Sequence, residues 1–324
     1  MLHTRFCELF GIDAPILQAA IWPATAPGLV AAVSNAGGLG SIGGVFETAS
    51  ELRAQIERVR ERTDRPFVVN HVVPVLDEEA FEATLEARPA AVSFALGDPG
   101  ALVDRARSAG TRVIEQVHSV PQAEAAAERG VDVVIAQGSE AGGQGLAAGT
   151  GAMALVPQVV DAVDPIPVLA AGGVADGRGL AAALALGAAG ANVGTRFLAS
   201  DEAGVDTAWK HLILETEAED AVRFEVWGAI LPADPTGYDV VPRVIRTDFV
   251  AEWESRPEEA GMQAERLRGE IMESVGARRP HERTPFAGQS AGLIHDVRPA
   301  GEIVRAMVAG AERALDVASQ RPAR

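Results

Sequence analysis

Short apolar or β-branched runs recur through the first two-thirds of the chain. Each is followed by a longer stretch with Ala and other apolar residues at i, i+3 and i+4 and charges between them. The short runs predict strands over Ile16–Ile21, Leu39–Ile42, Phe67–Val72, Ala91–Leu96, Arg112–Val117, Asp132–Ala136, Val168–Ala171 and Ala191–Val193. The longer stretches predict helices, most clearly over Glu47–Arg62, Glu78–Arg88, Pro99–Ala109, Pro121–Arg129 and Asp176–Leu186. Two of these open with Pro near the first turn and several stop just before Gly, the asymmetry expected of helix ends. Strand–helix alternation implies parallel strands buried on both faces, and eight units predict an α/β fold closed into a (β/α)8 TIM barrel. A doubly wound open sheet satisfies the same periodicity and is the alternative.

The rhythm breaks between about Asp201 and Thr284. Here stand Trp209, Trp227 and Trp253, the sole tyrosine Tyr238 in the loop LPADPTGYDVVP, and a charged helical stretch from Asp248 to about Ala277. This predicts a smaller, mainly helical subdomain over residues 201–284, inserted or appended near one mouth of the barrel. The barrel itself is expected from residues 1–200 and 285–324, ending in an amphipathic helix over Pro299–Ala318.

Composition narrows the partners. The 324 residues carry 28 Lys or Arg against 45 Asp or Glu, a net charge of −17, which would repel nucleic acid and anionic membranes. Hydrophobic residues at 48% suit a sizeable core. A single cysteine, Cys7, excludes a disulfide framework and cysteine-ligated metal or cluster sites, and fits a reducing compartment. The opening MLHTRFCELFGIDAP lacks the pattern of a signal peptide, and no uninterrupted run of 18 apolar residues occurs. The expected location is the cytoplasm.

Gly38-Leu-Gly-Ser-Ile-Gly43 satisfies G-x-G-x-x-G, but a helical run over Pro27–Asn35 precedes it and the motif contains the strand. That order is wrong for a dinucleotide fingerprint, and a tight helix-to-strand turn is the better reading. Ala171-Gly-Gly173 and Gly190-Ala-Asn192-Val193-Gly194-Thr195-Arg196 stand at the carboxyl ends of the seventh and eighth predicted strands. In barrels these two positions often bind phosphate, and glycine lets phosphate oxygens reach the main-chain N–H groups. A third glycine-dense loop, Gln137-Gly-Ser-Glu-Ala-Gly142-Gly143-Gln144-Gly145, can wrap a flat ligand, with the Gln137 amide suited to a heteroaromatic edge. Asn70, one of three asparagines, also ends a strand and invites a polar role. The six histidines show no metal-ligand spacing, G-x-S-x-G is absent, and Glu140 reads as solvated or capping more readily than as a base.

Together these stretches resemble the nitronate monooxygenase (2-nitropropane dioxygenase) family of FMN-dependent (β/α)8 barrels. The resemblance rests on Pro15-Ile-Leu-Gln18, Ala32–Gly40, Asn70, Gln137–Gly143, Ala171–Gly179, Gly194–Phe197 and, in the closing segment, Gly288-Gln-Ser-Ala-Gly292. It implies FMN contacts at Gln18, Ala19, Ala20, Asn70, Gln137, Gly142, Gly143, Gly172, Gly173, Asn192, Val193, Gly194 and Thr195. It also implies a small-molecule substrate, an alkyl nitronate oxidised with O2 to a carbonyl compound and nitrite.

The chain departs from the family pattern where a histidine is expected, at Gln144. A carboxamide cannot take a proton near neutral pH, though it can donate a hydrogen bond to a substrate oxygen. Gln144, His71 and His118 are therefore the catalytic candidates, the histidines as replacement bases at the ends of the third and fifth strands. The family's first strand usually ends in a Gly-Gly-Met-like segment, where this chain has Ala19-Ala-Ile-Trp22. Two alternatives stay open: an NAD(P)H-dependent FMN enoyl-thioester reductase, and a flavin-binding protein without turnover.

Overall fold

Alternation of buried strand and amphipathic helix has one compact outcome, helices outside and strands within. A computed structural model, describing residues 2–146, 149–230, 240–277 and 279–319, shows that outcome. The strands are β1 (Ile16–Gln18), β2 (Gly40–Gly43), β3 (Phe67–Val72), β4 (Ala91–Ala95), β5 (Arg112–Val117), β6 (Val133–Gln137), β7 (Gly143–Leu146), β8 (Val168–Ala171), β9 (Gly190–Val193), β10 (Ala221–Arg223) and β11 (Val240–Ile245). Eight of them form a parallel sheet in the order β1-β9-β8-β6-β5-β4-β3-β2. Leu39 closes the ring: its N–H donates to Ile16 O, and its carbonyl accepts from Gln18 N, both at 2.9 Å. The fold is a (β/α)8 TIM barrel.

Local chemistry sets the helix ends. Thr48 and Glu51 form a reciprocal capping box at the start of helix Ala49–Arg60. Ser119 caps Val120–Arg129, and Asp176 caps Gly177–Ala185. Gly40 is needed for close packing, since a Cβ there would overlap the main chain of Val30 in helix Pro27–Asn35. The Gly38–Gly43 motif is thus the helix-to-strand turn expected of it.

Inward-facing Leu17, Leu39, Val68, Ile114, Val133 and Leu169 fill the lower barrel. Phe6, Cys7 and Phe10, on helix Arg5–Phe10, pack against this layer and plug the amino-terminal end of the barrel. That helix is absent from the sequence reading. With one end sealed, the carboxyl ends of the strands are left to hold a ligand.

The described part of residues 201–284 holds more helix than strand. Helices Thr207–Glu215, Asp248–Trp253, Pro257–Met262 and Ala264–Gly276 are present, but β10 and β11 join them. These two strands extend an antiparallel sheet onto β7, which leaves the Gly-rich loop after β6. β-branched residues in Val240-Val-Pro-Arg-Val-Ile245 favour this extended pairing. Residues 231–239, including Tyr238, lie outside the described residues. Helix Ala300–Ser319 returns to the barrel, burying Ile303, Val304 and Met307 beside helices Pro27–Asn35 and Gly177–Ala185. No helix among the described residues is long and apolar enough to cross a membrane.

Candidate active site

A cavity of about 830 Å³ opens at the carboxyl ends of the barrel strands. Strand periodicity decides which side chains reach it: along β3, Val68 and Asn70 face inward while Val69 and His71 face the helices. Asn70 lines the cavity and is oriented by Ser93, whose Oγ accepts from Asn70 Nδ2 at 2.9 Å. At the end of β1, Gln18 Oε1 accepts from Ser41 N at 3.0 Å, and Ala19 and Ala20 continue along the wall. Gln137 donates from Nε2 to the Gln144 carbonyl at 2.9 Å, joining the end of β6 to β7.

The two glycine segments face the same space. Gly172 and Gly173 hold φ of 94° and 75°, in the left-handed region that favours glycine. A Cβ on Gly173 would meet nothing within 4 Å, so the main chain there borders open cavity. From β9 and its exit, Asn192, Gly194 and Thr195 also line it. Asn192 Oδ1 is buried without a hydrogen-bond partner, a carbonyl group awaiting an N–H or O–H donor. Thr195 Oγ1 accepts from Gly288 N at 2.9 Å, bringing the closing segment to the site. Gly142 packs so tightly on this segment that a Cβ would overlap Ala287 and Gly288, while Gly143 and Gln144 border the cavity.

Three expected site residues require correction. His71 is 1% exposed and turned out of the barrel, with Nε2 2.9 Å from Thr84 Oγ1 and its ring edge-on to Phe81. His118, 5% exposed, sits behind the Gln137 loop in a small void with Arg223 and Arg243, and neither ring nitrogen has a hydrogen-bond partner. Burial pulls both imidazoles down to about 4, against only a weak opposing pull from Asp77 on His71. Val193 faces outward into the helix layer, and its carbonyl accepts from Ala19 N at 2.9 Å. Arg196 also turns away, pairing with Asp296 Oδ1 at 3.1 Å, and Glu140 caps the amide of Ala152.

Ser41, Ser93 and Gln116 line the cavity and were missed from sequence. For Ser41 and Ser93 the signal was a polar side chain inside an otherwise apolar buried strand, whereas Gln116 shares its strand with Arg112 and Glu115. Among the described lining residues there is no Asp, Glu, His, Lys, Arg, Cys or Tyr. The described wall can donate and accept hydrogen bonds, but it cannot exchange a proton near neutral pH. Nor do the described residues include a group of three His, Cys, Asp or Glu able to hold a metal.

A family model for nitronate monooxygenase matches residues 3–84 and 77–310. The chain belongs to the nitronate monooxygenase family. Its relatives include a probable nitronate monooxygenase of Staphylococcus saprophyticus, 37% identical over 267 residues, covering 68% of this chain and 75% of that protein. Among solved structures, FabK from Thermotoga maritima superposes with a TM-score of 0.87 at 35% identity, covering 98% of this chain and 99% of that one. A nitroalkane oxidase from Streptomyces ansochromogenes superposes with a TM-score of 0.81 at 28% identity, covering 97% and 99%. As a nitronate monooxygenase family member, the chain is a flavin-dependent oxidoreductase, resembling the nitronate-oxidising enzymes of the family.

Proposed function

We propose that the flavin is FMN, held without a covalent bond, and that the enzyme oxidises alkyl nitronates with O2 to a carbonyl compound and nitrite in the cytoplasm. The observation that carries this reading is the described cavity wall without an ionisable side chain. A nitronate arrives deprotonated and needs no base, whereas a neutral nitroalkane needs one.

The residues fit the cofactor. The open main chain at Gly172–Gly173 and the exit of β9 at Gly194–Thr195 suit a phosphate, as at the corresponding end of other barrels. The unpaired Asn192 Oδ1 suits a hydroxyl or ring N–H of the same molecule. Asn70 and Gln137 would flank the isoalloxazine, and Gly142 and Gly143 would border it. When bound, the flavin would supply the redox chemistry between the substrate and O2. Gln144 contributes a carboxamide that can donate to a nitronate oxygen without removing a proton. Residues 201–284 act as a smaller unit over the mouth and restrict water, an assignment supported by the β11–β7 pairing.

A second reading, reduction of an enoyl thioester by NAD(P)H, draws support from the similarity to FabK. Anaerobic mixing separates the two. The purified protein should be yellow, release FMN on denaturation, and bleach with an alkyl nitronate but not with NADH or NADPH. Bleaching by a nicotinamide alone would transfer the assignment to the reductase. Bleaching by none of the three would leave a flavin-binding protein without turnover, and FAD in place of FMN would overturn the cofactor assignment.

A further inference from the structure

Ser41, Asn70 and Ser93 bring hydrogen-bonding groups to the cavity from within β2–β4, but beyond the ends of those strands the rim is apolar. The cavity's glycine-rich, hydrogen-bonding side lies at the exits of β8 and β9. In the ring order these strands stand opposite β3 and β4. There, Phe46 follows β2, Val75 follows β3 and Leu96 follows β4, and all three line the cavity. Helix Ala264–Gly276 adds Ile271, Met272 and Val275 to the wall.

Two features distinguish this apolar side from ordinary core. Phe46, Met272 and Val75 are 63%, 53% and 44% exposed, so three large apolar side chains from three elements are exposed to solvent along one cavity. Scattered single apolar residues need no explanation, but a group on one opening does. Phe46 and Leu96 also have φ of 58° and 57°, in the left-handed region where a Cβ is unfavourable. Among the described residues the remaining non-glycine case is Arg88, which closes a helix. Backbone strain of this kind persists at ligand clamps. Phe46 is braced by Trp22, edge-on with ring centroids 5.3 Å apart.

We propose that the substrate carries an extended, uncharged alkyl substituent, and that this tail lies along the β2–β4 exits against Phe46, Val75, Leu96 and Met272. The inference rests on the nitronate reading for the reacting head group alone; the tail site follows from the wall. Phosphorylated or adenylated tails are disfavoured because Phe46, Val75, Leu96 and Met272 bring apolar side chains to this part of the wall and no cation stands among them. The class is therefore long-chain alkyl nitronates.

The test uses the flavin-loaded protein and a series of straight-chain carboxylates from propionate to decanoate, unreactive analogues of the nitronates. Binding is read from flavin absorbance and from tryptophan fluorescence, since Trp22 and Trp227 line the cavity. Each added methylene should tighten binding about fourfold until the tail fills the wall. Val75→Asp and Met272→Glu, at exposed positions that tolerate substitution in the fold, should flatten this gradient. In turnover, kcat/KM for the matching nitronates should rise with the same slope. Equal affinity from propionate to decanoate would overturn the tail site, as would an unchanged gradient in both variants. A clear carboxylate gradient with no bleaching by any nitronate would overturn the nitronate reading and leave the tail site standing.

Discussion

Gln137 Nε2 donates to the main-chain carbonyl of Gln144 at 2.9 Å, so the glutamine that ends β6 fixes the backbone of the glutamine in β7. The Gln144 backbone is held twice, by this bond and by β7 pairing with β11, where Gln144 stands opposite Pro242. Gln144 therefore borders the cavity from a paired strand, a placement that suits the role proposed for it in orienting a substrate.

Activity should therefore depend on the form in which substrate is supplied. A nitronate should reduce the flavin readily, while the neutral nitroalkane should react slower by about 10²–10⁴-fold, the usual contribution of a general base. Gln144→His should raise the nitroalkane rate and leave the fixed backbone in place. Anaerobic stopped-flow with each form, at a pH where they interconvert slowly, measures both. Equal rates in the parent would mean that a base outside the described wall takes part.

Gly173→Val should abolish tight FMN binding. A β-branched residue in the left-handed region costs about 1–2 kcal/mol by itself, and its methyl groups would enter the open space beside the loop. The melting temperature of the apoprotein should fall by about 1–3 °C, since a cost of about 1 kcal/mol shifts a protein of 324 residues by roughly 1–2 °C. Equilibrium dialysis against FMN checks the affinity; parent-like binding would place the phosphate elsewhere.

Asn192→Val should move the two states of the protein in opposite directions. In the apoprotein it removes a buried carbonyl group left unpaired, a relief of about 1–3 kcal/mol before any packing change. With FMN it removes a hydrogen-bond acceptor, so affinity should fall at least tenfold. Thermal melts with and without FMN should show the difference between the states narrowing. A variant that melts lower in both would make Asn192 a packing residue only.

The two buried histidines govern acid stability rather than rate. Their folded values lie near 4, below the ordinary 6.5, so between those limits the unfolded chain binds more protons. Stability is complete above about pH 6.5, is lost as pH falls toward 4, and changes no further below that from these groups. Each contributes up to about 3 kcal/mol across that window. His118→Leu should recover part of the loss at pH 5, because neither ring nitrogen of His118 has a hydrogen-bond partner to forfeit. Urea melts at pH 5 and 7.5 test this, and kcat should show no inflection near pH 6.5 from either residue.

Short apolar or β-branched runs between helical stretches made the barrel legible: Phe67–Val72 and Arg112–Val117 are strands over the predicted spans, with side chains alternating between barrel interior and helix layer. The same alternation separates Asn70 from His71, and only the inward member of that pair reaches the cavity. Gly172 and Gly173 were legible as glycines at a strand exit, and both line the cavity with positive φ. Helix Ala152–Val163 was not, since Pro157 lies within it and ordinarily marks an end. Nor was β7: Gly143-Gln-Gly-Leu146 has no β-branched residue and is extended by pairing with Val240–Arg243, far along the chain. The apolar side of the cavity drew on Phe46, Leu96 and Met272, whose neighbours are set by the fold and not by spacing.

The fit of Gly142 against Ala287 and Gly288 also imposes an order on biosynthesis. Gln289 N donates to Glu140 O at 3.0 Å, and Gly288 N donates to Thr195, so residues 287–289 fasten the loop after β6 to the exit of β9. A ribosome that has released the eight barrel strands has not yet released that fastener. The nascent barrel must therefore wait, its loops after β6 and β9 unsecured, while almost another hundred residues emerge, roughly 5–20 s at ordinary elongation rates. On the FMN reading proposed above, flavin capture is then a late event in the life of the chain, and a ribosome stalled before Ala287 would hold a barrel with the loop after β6 unfastened.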